Sequence, residues 1–170
     1  MMIPTAIDGL TLRLATPADV GTVLQFIRAL ADYEKLLDMV VADEQKLRDT
    51  LFGDKAYAEV VIADYQGKPA GFALFFHNYS TFLAKPGIYL EDLFVDPSLR
   101  GKGIGKALIT YLATLAVERN CGRLEWSVLD WNQPAIDFYQ SLGAVMLDDW
   151  RINRVTGETL TQMAQLFPKA

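Results

Sequence analysis

The sequence predicts an α/β fold, a mixed and partly parallel central sheet flanked by helices. Extended runs and helical periodicities follow one another in the order strand, two helices, antiparallel strands, then strand, helix, strand and a further helix. Tyr57 to Tyr65 and Pro69 to Tyr79 are β-branched and aromatic runs joined at Gln66-Gly67-Lys68, which reads as an antiparallel hairpin. Ile88 to Val95, a glycine-rich turn, a helix and a strand at Leu124 to Leu129 form the crossover that gives the sheet its parallel pair.

Each element has a local reason. Leu10, Leu12 and Leu14 alternate with polar residues as a half-buried strand does, and Thr16-Pro17-Ala18-Asp19 supplies an N-cap, a first-turn proline and an acidic capping partner. The helix that follows carries Val20, Leu24, Ile27 and Leu30 on one face and ends near Tyr33-Glu34, and a second short helix spans Asp43 to Leu51. From Lys106 to Asn120 the polar positions Lys106, Thr110, Thr114 and Glu118 form a narrow stripe, so most of that helix's circumference is expected to be covered by protein. Asn132-Gln133-Pro134 opens a helix through Phe138 and Leu142, and Gly143 closes it. Trp150 to Val155 resembles a last strand, and the tail after Gly157 reads as a short helix. No linker or internal repeat interrupts the chain, so residues 1–170 are expected to form a single domain.

Composition narrows the function classes. A chain of 170 residues with 51% apolar and 22% charged side chains is long enough to bury a core and is not a disordered tail. The formal net charge of −5 argues against a nucleic-acid binder, which would carry a basic face, and suits cationic small partners. The single cysteine, Cys121, cannot form an internal disulfide, and Met1-Met2-Ile3-Pro4 lacks the basic start and apolar core of a signal peptide, so the cytoplasm is the expected location. The longest apolar stretch, Leu108 to Val117, is broken by Thr110 and Thr114 and falls short of the roughly 18 residues of a membrane span, so no membrane partner is expected. His77 has no companions at metal-ligand spacing, so no metal is expected either.

The most informative stretch is Arg100-Gly101-Lys102-Gly103-Ile104-Gly105, a strand-to-helix turn. Without Cβ atoms such a backbone takes positive φ and approaches a ligand closely, and the first N–H groups of the following helix favour negative charge, which fits a nucleotide-like diphosphate. A dinucleotide fingerprint would need glycine at 106, where Lys106 stands, and a P-loop would need Ser or Thr where Ala107 stands. Read from spacing alone, the same turn also serves to pack a helix tightly on a sheet.

Val95 through Gly105, followed by Trp131-Asn132-Gln133-Pro134-Ala135 and Phe138-Tyr139, resembles the GCN5-related N-acetyltransferase superfamily. With Phe26 to Glu34, Tyr89-Leu90-Glu91-Asp92-Leu93-Phe94-Val95 and Leu129-Asp130-Trp131-Asn132, the resemblance extends to the diamine acetyltransferase family and covers nearly the whole chain. Tyr79-Ser80-Thr81-Phe82 is similar to the thialysine acetyltransferase branch; the spermidine branch would show an Asp and a Trp where Ser80 and Phe82 stand. The resemblance implies a GNAT-like acyltransferase fold, acetyl-CoA as co-substrate and a small lysine-like amine as acceptor. It assigns Leu93, Phe94 and Val95 to backbone pairing with the pantetheine arm, and Arg100, Gly101, Lys102, Gly103, Ile104, Gly105 and Lys106 to the diphosphate. Asn132, with Pro134 and Ala135, is assigned to the pantetheine or phosphate portion. A homodimer is implied by analogy, with Tyr33 and Glu34 approaching the substrate of the neighbouring subunit; by sequence alone these two are a solvated helix end.

The chemistry requires a base, because an alkyl ammonium with a pKa of about 10.4 must lose a proton before its nitrogen can attack a thioester. Glu91 and Asp92 interrupt an otherwise apolar strand, where a buried carboxylate is costly unless paired, hydrogen-bonded or used on a ligand. In a regular strand they would face opposite sides, so both enter one cleft only if a bulge re-aims one of them. Glu91 is taken as the base, acting through a water, and Asp92 as the group that holds the substrate cation or orients that water. Both residues also admit a purely structural use on backbone donors or a nearby arginine. Tyr139 falls seven positions after Asn132, two turns along the helix, and the resemblance makes it the general acid that protonates the departing thiolate. By itself a Tyr beside Phe138 reads as packing with a wet tip. Cys121 has no base placed beside it, which favours direct attack in a ternary complex over a covalent acyl-enzyme. The competing functions are a polyamine acetyltransferase, a CoA-binding sensor without turnover, and acetylation of protein amines in a wider groove.

Overall fold

A computed structural model describes residues 1–168, which fall into two compact units, residues 1–129 and 130 onward. In the first unit the described residues form a six-stranded sheet in sequential order: β1 (Met2–Pro4), β2 (Leu10–Leu14), β3 (Glu59–Tyr65), β4 (Lys68–Ser80), β5 (Lys85–Val95) and β6 (Leu124–Trp126). Neighbours pair antiparallel from β1 to β5, and β5 pairs with β6 in parallel. The hairpin turn is the expected one: Gln66 and Gly67 both have positive φ, 51° and 77°, as a two-residue type I′ turn requires. The short β1 was not anticipated; it is an edge strand held by its ladder to β2.

One face of the sheet is covered by α1 (Val20–Tyr33) and α2 (Glu44–Phe52). Val20, Val23 and Leu24 of α1 and Leu47 and Leu51 of α2 bury against Val60, Ile62, Phe72 and Phe94, and Phe26 stacks on Phe72 with ring centroids 5.4 Å apart. The start of α1 follows the sequence signal: Thr16 and Asp19 make a capping box around a short 3-10 turn at Pro17–Asp19. Asp43 caps α2 by accepting from the Lys46 amide. Against β3, β4 and β5 also lies α3 (Ile104–Glu118), the crossover helix. It begins directly after Gly103 and ends at Glu118, so its bounds differ from Lys106 to Asn120. Protein covers most of α3 as expected, with Ile104, Leu108, Ile109, Leu112, Leu115 and Ala116 buried, but the exposed stripe of Lys106, Thr110, Thr114 and Glu118 is widened by Ala113 and by Val117, which is 80% exposed. Ala and Val are apolar enough to look like core positions and small enough to sit on a surface at little cost.

β6 covers only part of the expected Leu124 to Leu129. It pairs with β5 at three positions, the last being Leu90 with Trp126, and β5 continues to Val95 with no β6 partner. The two parallel strands therefore part at their carboxyl ends, which is where open α/β sheets receive ligands.

The second unit contains α4 (Gln133–Ser141) and α5 (Gly157–Gln165). Residues 150–155 form no strand; Trp150 and Ile152 are 76% and 72% exposed. Alternation makes a strand only where a neighbouring edge supplies a ladder, and among the described residues none pairs with this segment.

Candidate active site

The register of β4 against β5 shifts once. Leu74 faces Asp92 and Phe75 faces Leu90, which leaves Glu91 as the extra residue of a β-bulge. The consequence follows from strand alternation. Leu74 packs on the core beneath α1 and α2, so its partner Asp92 and the next-but-one residue Phe94 share that face. Phe75, one residue on, faces the other way, with the Arg119 guanidinium at the end of α3 5.8 Å from its ring centre, and its partner Leu90 goes with it. In an unbroken strand Leu90, Asp92 and Phe94 would line one face; the bulge moves Asp92 and Phe94 to the α1 side. A bulge is the condition under which both adjacent carboxylates could enter one cleft.

Burial pushes the Asp92 carboxyl up to about 6, and the charges of Glu91 and then Glu34 push in the same direction. Glu34, at the end of α1, is itself raised by burial. Glu34 and Glu91 are thus near enough to Asp92 for their charges to act on it, with Glu91 exposed and the other two half-buried. None of the ion pairs among the described residues involves any of them. Like charges kept together and partly desolvated are unfavourable until a cation joins them.

The turn after β5 is built by local bonds. Asp96 accepts from the Ser98 amide at 2.8 Å and its own amide donates to Ala70 O at 2.8 Å, which ties the turn back to β4. Gly101 and Gly103 have φ of +80° and +81°, a conformation L side chains rarely adopt. No side chain caps α3, whose first recorded backbone bond is from the Ala107 amide to Gly103 O at 2.9 Å. The amides of Ile104, Gly105 and Lys106 precede it and have no acceptor within the helix. Above Gly101 an added Cβ would meet nothing within 4 Å, whereas at Gly103 it would press on Ile7 Cδ1 at 3.0 Å. Around this cradle, the Arg100 guanidinium lies 4.9 Å from the centre of the Tyr33 ring and Lys102 Nζ lies 5.5 Å from that of Tyr65. Lys106 is exposed. Leu93, Phe94 and Val95 lie on the stretch of β5 that runs past the end of β6.

In the second unit Asn132 stands at the N-cap of α4, its Oδ1 accepting from the Ala135 amide at 3.4 Å, with Pro134 in the first turn. Tyr139 is half-buried, and its ring is tilted against Phe138 with centroids 5.4 Å apart.

One cluster escaped the sequence. His77, Arg119, Glu59 and Cys121 come together at the opposite end of β4. Arg119 can only donate, so His77 Nε2, 3.0 Å away, is an acceptor, and Nδ1 carries the hydrogen to Gly87 O at 2.9 Å. Nδ1 also lies 3.9 Å from Cys121 Sγ, but as a donor it has no lone pair with which to activate the thiol. These residues are up to 62 positions apart in the chain, from Glu59 to Cys121, beyond the reach of any local signal. Among the described residues no group of three or more His, Cys, Asp or Glu side chains is arranged to hold a metal ion, and no helix is long and apolar enough to cross a membrane.

Comparison with known proteins identifies the family. Residues 26–144 match the Acetyltransferase (GNAT) family, a span that runs across the boundary between the two units. The thialysine N-epsilon-acetyltransferase of Bos taurus is 37% identical over 164 residues, covering 90% of this chain and 96% of that protein. The L-ornithine N5-acetyltransferase of Arabidopsis thaliana is 34% identical over 200 residues, covering 91% and 88%. Among solved structures, an integron cassette protein from the mobile metagenome of V. cholerae superposes with a TM-score of 0.78 at 30% identity, over 92% of this chain and 98% of that one. With most of its length matched in sequence and in fold, the chain belongs to the GNAT family and is an N-acetyltransferase.

Proposed function

We propose that the protein moves the acetyl group of acetyl-CoA to a primary amine of a small lysine-like or diamine substrate, by direct attack in a ternary complex. The observation that carries this reading is the bulge at Glu91, which gathers Glu91 and Asp92 with Glu34 beside the open carboxyl end of β5. A substrate ammonium supplies the cation this cluster lacks. Glu91 takes its proton through a water, and Asp92 holds the substrate cation or orients that water. With its carboxyl pushed up to about 6, Asp92 is still ionised at neutral pH and can hold that cation.

The cradle fits the co-substrate. The free edge of Leu93 to Val95 suits backbone pairing with the pantetheine arm, and Arg100 to Lys106 suit the diphosphate through the uncapped amides of α3. Asn132, Pro134 and Ala135 contribute to the pantetheine or phosphate portion, and Tyr139 gives its phenolic proton to the departing thiolate. Both units together then make one acetyltransferase domain, which works in the cytoplasm as a homodimer.

A lysine-like acceptor is favoured over a polyamine by Ser80 and Phe82 and by the activities named for the relatives, thialysine Nε- and L-ornithine N5-acetylation. The test is a screen of thialysine, lysine, ornithine, spermidine, aminoglycosides and peptides with acetyl-CoA, read by acetyl mass gain and free thiol. Thialysine, lysine or ornithine should lead. A dominant spermidine signal would establish the polyamine reading, and CoA binding without turnover of any amine would establish a sensor.

A further inference from the structure

We infer that Tyr33 is a positioning residue for the co-substrate: its ring holds the Arg100 guanidinium by its face, so that the edge of the fork is presented to the diphosphate. The inference rests on the proposed use of acetyl-CoA and adds to it a residue of α1 that the turn itself does not contain.

The geometry is specific. The Arg100 Cζ lies 4.9 Å from the centre of the Tyr33 ring, within the range of a cation–π contact. A guanidinium held over a ring by its carbon leaves N–H groups at its edge free to meet phosphate oxygens in two-point fashion. Free arginine side chains are exposed and mobile; Arg100 is exposed, so without the ring it would lose rotamer freedom each time it met a ligand.

Tyr33 is well placed to act as a fixed support. The last turn of α1 is closed by a paired motif, with the Leu36 amide donating to Ala31 O at 2.7 Å and the Lys35 amide donating to Asp32 O at 3.0 Å. Lys35 takes a left-handed conformation, φ 62°, to close it. The neighbouring residue, Glu34, belongs to the carboxylate cluster around Asp92. The end of α1 thus presents one side chain to the anion-binding turn and the next to the amine-binding carboxylates.

The experiment is a double-mutant cycle on CoA affinity by calorimetry, with Tyr33→Leu, Tyr33→Phe, Arg100→Ala and the double variant Tyr33→Leu/Arg100→Ala. Tyr33→Leu should weaken CoA binding by about two- to fivefold, the range of an exposed cation–π contact, and Tyr33→Phe, which keeps the ring, should restore wild-type affinity. The double variant should bind no more weakly than Arg100→Ala alone. Pantetheine, which has no diphosphate, should bind all four variants and the wild type equally. Wild-type affinity in Tyr33→Leu, or losses from the two sites that simply add, would overturn the inference. Failure of the wild-type protein to bind CoA would instead defeat the acetyl-CoA reading on which it rests.

Discussion

Two carboxylate clusters of the same sheet are built on opposite principles. On β2, Arg13 bridges two aspartates: its Nη1 lies 2.9 Å from Asp19 and its Nε 2.6 Å from Asp64, with all three side chains largely buried. The Arg13 guanidinium holds the Asp19 carboxyl down to about 2. On β5, Asp92 sits with Glu91 and Glu34 and is pushed up to about 6. A charge answered inside the protein is a structural clasp; in the proposed function the one left unanswered is kept for a ligand. Sequence composition does not distinguish the two, because both are acidic residues in strands or at strand ends.

Four outcomes would sharpen or break the contrast. The largest concerns activity: removing the β5 pair with Glu91→Gln and Asp92→Asn should lower kcat/KM for the preferred amine by about 10³-fold, and either substitution alone by about 10²-fold, as steady-state kinetics would read. The Asp92→Asn variant should at the same time be more resistant to urea at pH 7 by about 1 to 2 kcal/mol, since it relieves a penalty the folded state carries.

Next in size, Arg13→Ala should cost about 3 kcal/mol in urea unfolding with kcat little changed, because it strands Asp19 and Asp64 in a partly buried site. A stable Arg13→Ala protein would mean the triad is not a clasp.

The pH dependence of stability should have two limbs of opposite sign. Asp92 has a raised folded value, so between about pH 4 and 6 the folded state binds more protons than the unfolded one and stability falls as pH rises. Asp19 has a depressed folded value, so its contribution of about 2 kcal/mol is present above pH 4 and is lost as pH falls from about 4 to 2. Comparing wild-type unfolding with Asp92→Asn and Asp19→Asn across pH 2–8 should remove one limb each.

The smallest effect is that of Glu34→Gln. It should lower the titration point of Asp92 by less than Glu91→Gln does, because Glu91 exerts the larger charge effect, and raise the KM for amine by up to about fivefold. A larger change than that of Glu91→Gln would reverse the order of the two neighbours.

What could be read in advance was whatever depends on nearby residues. The capping box at Thr16 and Asp19, the hairpin turn at Gln66-Gly67 and the cap of α4 by Asn132 are each decided within a few positions, and each formed as expected. The glycine turn at 100–105 was legible for the same reason. The need for a bulge could be stated from Glu91 and Asp92, but its presence depends on how β4 aligns with β5. The Arg13 clasp joins residues 51 positions apart, and the His77 cluster is equally non-local. Trp150 to Val155 failed in the other direction: the run resembles a strand, but a ladder needs a second strand.

The most direct test is a carbon-13 NMR titration of the side-chain carboxyls, with Asp92 assigned by its loss in Asp92→Asn. Asp92 should titrate at about pH 6 in the free protein and move down when the preferred amine is added, as a cation joins the cluster. An Asp92 that titrates near 4 and ignores the amine would contradict the central claim that this cluster is held open for a cationic substrate.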